Sequence, residues 1–177
     1  MTRARLILLA LSCCCLLSGR APEGARDAAG ALTAQIDPSA DIQQRLVELN
    51  PHLTAAQLAR IRLAILRYST KYSLDPLLVT AVIEVESAAR PWARSPSGAL
   101  GLMQVMPYMI RPMDLAGNAS TVEANIEAGC RILAGNIRRL GEEDGISAYF
   151  WGSNIRGVTY LNRVRAARER LRRELES

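Results

Sequence analysis

Two glutamates, Glu84 and Glu86, lie at the end of the apolar segment Leu77-Leu78-Val79-Thr80-Ala81-Val82-Ile83, and their spacing gives them different surroundings. At about 100° per residue, Glu86 falls between Val79 and Val82, at the margin of the stripe made by Leu78, Val82 and Val85. Glu84 falls beside Thr80 on the polar side. A carboxyl group among apolar side chains resists ionisation, because burial penalises its charged form and raises its pKa. Such a group can hand a proton to a leaving oxygen near neutral pH, which is the work of a glycosidase acid. The alternative is a helix-end side chain turned back to water, and periodicity taken alone favours it.

Other chemistries find little material. Asp114 and Glu123 are the acids close enough in chain order to serve as a second carboxylate, yet neither sits in a distinctive motif. Glu123 reads as a helix-start acid favoured by the macrodipole, and Asp114 as a loop residue. With His52 the only histidine and Cys130 on an apolar stripe, neither a metal cluster nor a Cys-His nucleophilic pair is expected, and no cofactor is implied.

The elements that must hold Glu86 read as helices. The chain has 177 residues, 49% of them apolar but only 5% aromatic, so Leu, Ile, Val and Ala fill the interior, a composition suited to one all-α domain with little or no sheet. A first helix is expected after Asp37-Pro38, with Ile42, Leu46 and Leu49 on one stripe. A second starts at Thr54, where Gln57 completes a capping box, and stops near Tyr72. Asp75-Pro76 opens a third that runs to about Ala88.

Residues 89–98, with two prolines and a glycine, read as a loop, and a short helix is expected from Ala99 to Val105. Ser120 and Glu123 have capping-box spacing ahead of the stripe Ile126, Cys130, Leu133, Ile137 and Leu140, which Gly141 ends. Residues 142–145 read as a solvated turn, Ile146 to Trp151 as a short helix, and 155–176 as a final helix with Leu161, Val164, Leu171 and Leu175 inward. Its Arg-rich remainder reads as a solvated face in preference to a membrane-binding one.

The N-terminus has the form of a secretory signal over residues 1–21: Arg3 and Arg5 precede the apolar run Leu6 to Leu17, too short to span a bilayer. Residues 22–36 read as a flexible tether, leaving 37–177 for the domain. Cys13, Cys14 and Cys15 fall in the signal, so Cys130 alone remains and no intrachain disulfide can form in the domain. Cleavage near Gly19 to Ala21 is the ordinary expectation. Lipid attachment at Cys13, behind a poor lipobox, is the alternative, and membrane association is expected only in that case. Net charge is +5, and removing residues 1–36 takes away four arginines and two acids, a fall of two to +3. That suits an acidic polymer and gives no ground for nucleic acid.

What reverses the odds on Glu86 is the text that follows it. Glu86-Ser87 is succeeded by Pro91, Ala93, Ser95, Gly98 and Ala99 and then by Gly101-Leu102-Met103-Gln104-Val105-Met106-Pro107; Asn125-Ile126 with Gly129 and Ala148-Tyr149 with Gly152 come later. This order and spacing resembles the lysozyme-like domain of the soluble lytic transglycosylases over roughly residues 74–165. The resemblance implies that Glu86 is the catalytic acid and then base, that Ser87, Gly101, Leu102, Met103, Gln104 and Tyr149 line the substrate cleft, and that Tyr149 orients the acid; taken without the motif, Ser87 fits a cap at the helix end equally well, and Met103 and Tyr149 fit core packing. Met103 and Gln104 are expected to offer an apolar contact and an amide to N-acetyl groups. Phe150 and Trp151 depart from the family's usual Asn and small residue, either as a stacking surface for a sugar or as a repacked, weakened cleft.

The implied substrate is the peptidoglycan glycan strand, cut between N-acetylmuramic acid and N-acetylglucosamine with formation of a 1,6-anhydro sugar, in the periplasm or at the outer membrane. An envelope-spanning machine is a further implied partner. A hydrolytic muramidase on the same fold and a non-catalytic peptidoglycan-binding scaffold are the alternatives.

Overall fold

The computed structural model describes residues 39–115, 117–118 and 120–176; the expected signal, tether and Cys13 lie outside them. Seven α-helices are present among the described residues: α1 (Ser39–Leu49), α2 (Ala55–Tyr72), α3 (Pro76–Ser87), α4 (Pro107–Ile110), α5 (Val122–Leu140), α6 (Glu142–Trp151) and α7 (Thr159–Leu175). A 3-10 turn, Arg111–Met113, follows α4. The only strand-like pairing described is a pair of isolated bridges, so the domain is all-α as its composition predicts.

The starts of α2 and α3 follow from local chemistry. Thr54 accepts from the Gln57 backbone while the Gln57 side chain accepts from the Thr54 N–H, which satisfies two otherwise orphaned donors. Asp75 accepts from Leu77 N at 2.8 Å, and Pro76, which has no N–H to satisfy, occupies the first helical position. The central helix is α3. Leu77 through Ile83 are all buried, so α3 is enclosed on every side over two turns and lacks the single apolar stripe of a surface helix. Thr80, expected on a polar side, is fully buried, its hydroxyl donating to Pro76 O.

Around α3 the other helices close in layers, with α7 along one flank, α2 along another, and α5 packed between α2 and α6. Ile42, Leu46, Ile61, Ile65, Ile126, Leu133, Ile146, Val164 and Leu171 form a common core with it. Each such side chain contributes roughly 1.5–3 kcal/mol relative to exposure.

Arginines on α7 are mostly used internally. Arg168 pairs with Asp75 at 2.6 Å and with Glu142, Arg170 with Glu84 at 2.5 Å, and Arg165 with Glu143. The expectation of a solvated face is corrected to this extent: much of the charge staples α7 to α3 and α6. Glu84 is likewise no solvent-side residue. It is held between Arg45 of α1 and Arg170 of α7, with bonds of 2.9–3.0 Å to Arg45.

Three other boundaries differ from expectation. The cap of α5 is Thr121, which accepts from Ala124 N, and not Ser120. Helix α6 begins at Glu142, so the expected turn at 142–145 is helical, its three acids filling the first turn where the helix dipole favours them. Helix α7 begins at Thr159, four residues later than expected. No described helix is long and apolar enough to cross a membrane.

Candidate active site

Glu86 occupies the last turn of α3, and the chain reverses immediately after it. Ala88 and Ala89 both adopt left-handed backbone, at φ 48° and 55°. Each costs on the order of 1–2 kcal/mol for a residue with a β-carbon. The reversal is held by Arg90 N and Nε, both donating to Ser87 O, and by Asn50 Nδ2 donating to Ala89 O at 3.1 Å. It brings the segment 90–105 back across the end of α3.

That segment is not the short helix expected at Ala99–Val105. It is a tight double reversal with bridges from Leu100 to Arg94 and to Val105, in which Gly101 N donates to Ala93 O at 2.8 Å. Gly101 (φ 75°) and Gln104 (φ 47°) lie in the left-handed region, which a right-handed helix cannot accommodate. The buried Asn125 side chain replaces helical hydrogen bonds: its Oδ1 accepts from Met103 N at 2.9 Å and its Nδ2 donates to Leu100 O at 2.8 Å. A β-carbon at Gly101 would sit 2.5 Å from Asn125 Nδ2, and one at Gly129 would sit 2.7 Å from Met103 Cβ. The Asn125-Ile126 and Gly129 motif thus seats the Gly101–Gln104 loop on α5.

This packing sets several of the expected cleft residues back from the groove. Leu102 and Met103 are in the core, 1% and 0% exposed, and their side chains present nothing to a cleft. Gly101 is buried beneath Asn125. Ser87 is buried as well, donating to Ile83 O and Leu102 O, so it ties α3 to the loop and bonds neither Glu86 nor the cleft. Gln104 does reach the groove, but its amide nitrogen is engaged with Ala93 O and Gly101 O. Tyr149 donates to Met103 O at 2.8 Å, not to the acid.

The direct partner of the acid is one that sequence reasoning missed. Tyr160, at the start of α7, donates to Glu86 Oε1 at 2.7 Å. No local pattern marks it: it stands 74 positions from Glu86, in a helix whose apolar stripe runs through Leu161 and Val164. Burial pushes the Glu86 carboxyl above its ordinary range; the Tyr160 hydroxyl and the Arg163 charge pull it back only in part. Burial, reinforced by the nearby Glu86 charge, raises both the Tyr149 and Tyr160 phenols well above the usual tyrosine range. Both therefore remain hydrogen-bond donors at neutral pH.

Phe150 stacks on Tyr160, with ring centroids 5.0 Å apart and an interplanar angle of 16°, and meets Trp151 edge-on at 4.9 Å. Phe150 is nevertheless 56% exposed. Its ring is thus a surface that braces the acid's partner on one side and faces solvent on the other.

Two depressions meet at Glu86 and share it with Ser95 and Gln104. One, of about 620 Å³, lies between the 90–96 loop and residues 50–57. The other, of about 680 Å³, lies between Val105–Met109, α5 and the 148–153 segment that carries Tyr149, Phe150 and Trp151. Together they form a groove with the carboxyl group at its middle, and Glu86 is the only carboxylate among the described residues lining either half. Asp114 and Glu123 lie elsewhere, around a separate depression beside α2, where Glu123 pairs with Arg60. Burial raises the Cys130 thiol far above its ordinary range, and no group of potential metal ligands occurs among the described residues.

Residues 64–168, more than half of the chain, match the model of the transglycosylase SLT domain. The chain belongs to this family. A transglycosylase of Enterobacteria phage PRD1 is 38% identical to this SLT domain protein over 87 residues, 49% of this chain and 32% of that one. Membrane-bound lytic murein transglycosylase E of Buchnera aphidicola subsp. Acyrthosiphon pisum (strain APS) is 44% identical over 39 residues, 22% of this chain and 18% of that one. The matched stretches therefore span a third or less of these relatives. Among solved structures, that of an inactive mutant of lytic transglycosylase Slt from Pseudomonas aeruginosa is similar over 64% of this chain and 22% of that one, at 21% identity and a TM-score of 0.46.

Proposed function

We propose that this SLT domain protein is a peptidoglycan lytic transglycosylase that cleaves the β-1,4 bond between N-acetylmuramic acid and N-acetylglucosamine, with Glu86 as both acid and base. The observation that carries the reading is the single half-buried carboxyl group, raised in pKa, at the centre of a groove with no second carboxylate in its described lining. Glycosidases that use water or an enzyme nucleophile ordinarily need two carboxylates. One suffices when the substrate brings its own nucleophile.

In the proposed sequence protonated Glu86 gives its proton to the glycosidic oxygen as the C1–O bond breaks. The resulting carboxylate then accepts the proton of the muramic C6 hydroxyl as O6 bonds to C1. A 1,6-anhydro end forms, no water is consumed, and Glu86 returns to its protonated state. Tyr160 holds one carboxyl oxygen throughout, leaving the other for the substrate. The signal and tether at residues 1–36 would deliver the domain to the periplasm, with outer-membrane anchoring if Cys13 is lipidated.

Purified sacculi treated with wild type and Glu86→Gln, with mass analysis of the products, test this. Wild type should clear them and release ends lighter by one water than hydrolytic ends, while the variant should bind without clearing. Purely hydrolytic ends would establish a muramidase instead. Binding without clearance by wild type would establish a scaffold.

A further inference from the structure

The hydrogen bond that Tyr160 gives to the Glu86 carboxyl comes from the start of α7, where little local structure fixes a side chain. Helix α7 begins after Val158, whose side chain provides no cap, and the connection before it is exposed at residues 152–156 and 158. Tyr160 is the second residue of the helix, so its own N–H is among the first four donors that have no acceptor within the helix. Helix ends of this kind fray. Leu161 and Val164 seat the backbone in the core, but the Tyr160 hydroxyl lies at the far tip of a ring that turns on two bonds. Keeping that tip 2.7 Å from Glu86 Oε1 requires something to hold the ring itself.

Phe150 comes from a firmer element. Helix α6 lies so close to α5 that a β-carbon at Gly145 would sit 2.6 Å from Ile137 Cα, and Ile146 and Ala148 are buried. Tyr149 ties its last turn to the Gly101–Gln104 loop by donating to Met103 O, and Gly152 N closes that turn by donating to Ala148 O at 2.9 Å. Trp151 meets the Phe150 ring edge-on, while the face of that ring lies nearly parallel to Tyr160 at 5.0 Å. Tyr160 is 4% exposed and Phe150 56%, so the stack shelters the tyrosine far more than the phenylalanine.

With the Tyr149 hydroxyl committed to Met103 O, the stack bears on the one hydrogen-bond donor that Glu86 has among the described residues. We infer that Phe150 is a positioning residue, which acts on the acid through Tyr160 by holding the phenol against Glu86 Oε1 while the glycosidic bond breaks. The Asn usual in the family at this position has no ring to stack. Its replacement by Phe150 is then a brace for the acid's partner, and neither a sugar platform nor a weakened cleft. The inference rests on the lytic transglycosylase reading above and assigns part of its rate to a residue that has no hydrogen bond of its own to give.

The test measures kcat and KM for the full chain on soluble glycan strands of one length, released from sacculi and freed of cross-links. Phe150→Leu keeps an apolar side chain but loses the stack, so kcat should fall about fivefold while KM stays within about twofold of wild type. Phe150→Tyr, which keeps a ring at this position, should retain most of the wild-type rate. In a Tyr160→Phe background, where no hydroxyl remains to be held, Phe150→Leu should lower kcat by less than about twofold. A KM that rises while kcat is kept would show that the ring holds a sugar and would overturn this inference alone. An unchanged kcat in Phe150→Leu, or a loss of the same size in both backgrounds, would overturn it equally. If the double variant does not fold, the kcat against KM split of Phe150→Leu and the rate of Phe150→Tyr decide, and a tyrosine variant as slow as the leucine one overturns the inference. Failure of wild type to cleave the strands overturns the lytic transglycosylase reading and this inference with it.

Discussion

Tyr160 donates its phenolic hydrogen to Glu86 Oε1 at 2.7 Å, and this bond couples the first residue of consequence in the groove to the last helix of the chain. The bond favours the charged carboxylate, so it lowers a pKa that burial has raised. Tyr160→Phe keeps the ring stacked against Phe150 and removes only the hydroxyl. The Glu86 pKa should then rise further, moving the alkaline fall in kcat to higher pH, while kcat at its optimum drops about tenfold through lost orientation. A pH–rate profile on sacculi separates this from a structural defect, which would lower the rate without moving the inflection.

Glu86→Gln should have a pH-dependent effect on stability as well as abolishing cleavage. A group whose pKa is raised by folding contributes stability below its unfolded value of 4.5, and that contribution is lost as pH rises through the folded pKa. The variant should therefore be more stable than wild type at about pH 8 and not at about pH 4, a difference readable by thermal melts. A variant destabilised at both pH values would contradict the enclosed, charge-averse environment assigned to Glu86.

Glu84, two residues earlier, should behave in the opposite sense. Burial pushes its carboxyl up, but hydrogen bonds from Arg45 and Arg170 outweigh it and hold the pKa below the ordinary 4.5. Its stabilising contribution is present above that value and lost as pH falls through the lower folded pKa. Glu84→Gln should cost about 2 kcal/mol at neutral pH, between the values for exposed and buried pairs, with the gap closing in acid. Urea denaturation at two pH values checks both the magnitude and the sign.

Gly101 and Asn125 should be energetically coupled. Gly101→Ala places a methyl group 2.5 Å from Asn125 Nδ2 in a left-handed backbone position and should cost about 2–3 kcal/mol. Asn125→Ala leaves Met103 N and Leu100 O without their partner and should cost a similar amount. Because removing the amide makes room for the methyl group, the double variant should lose less than the sum of the two. Simple additivity in a double-mutant cycle would show that the loop does not rest on Asn125 as described.

The contrast between what was readable and what was not follows the range of the interactions. Thr54 with Gln57 and Asp75 with Pro76 are local chemistry, closed within three residues, and their helices start where the sequence places them. Glu86 stands out in the sequence through its place at the edge of an apolar stripe and the motif that follows it. Its phenolic partner does not, because a contact between residues 86 and 160 leaves no periodic trace. The segment 99–105 reads as helical by composition and fails to be so because Asn125, more than twenty residues away, supplies its hydrogen bonds. Leu102 and Met103 were expected to touch substrate because the motif contains them, yet the structure uses them to anchor the loop whose neighbour Gln104 reaches the groove.

The order of the helices has a consequence for the nascent chain. Glu86 is made early and Tyr160 late, since the helix that supplies the phenol is the last one described. A polypeptide completed only as far as residue 158 already contains the glutamate but lacks the group that bonds it, the stacking partner of Phe150, and the arginines that clamp α3 from behind. Tyr160 and the arginines beside it come within reach of α3 only when the last described helix is in place, so a molecule cut short or frayed at that end holds Glu86 without the hydroxyl that bonds it.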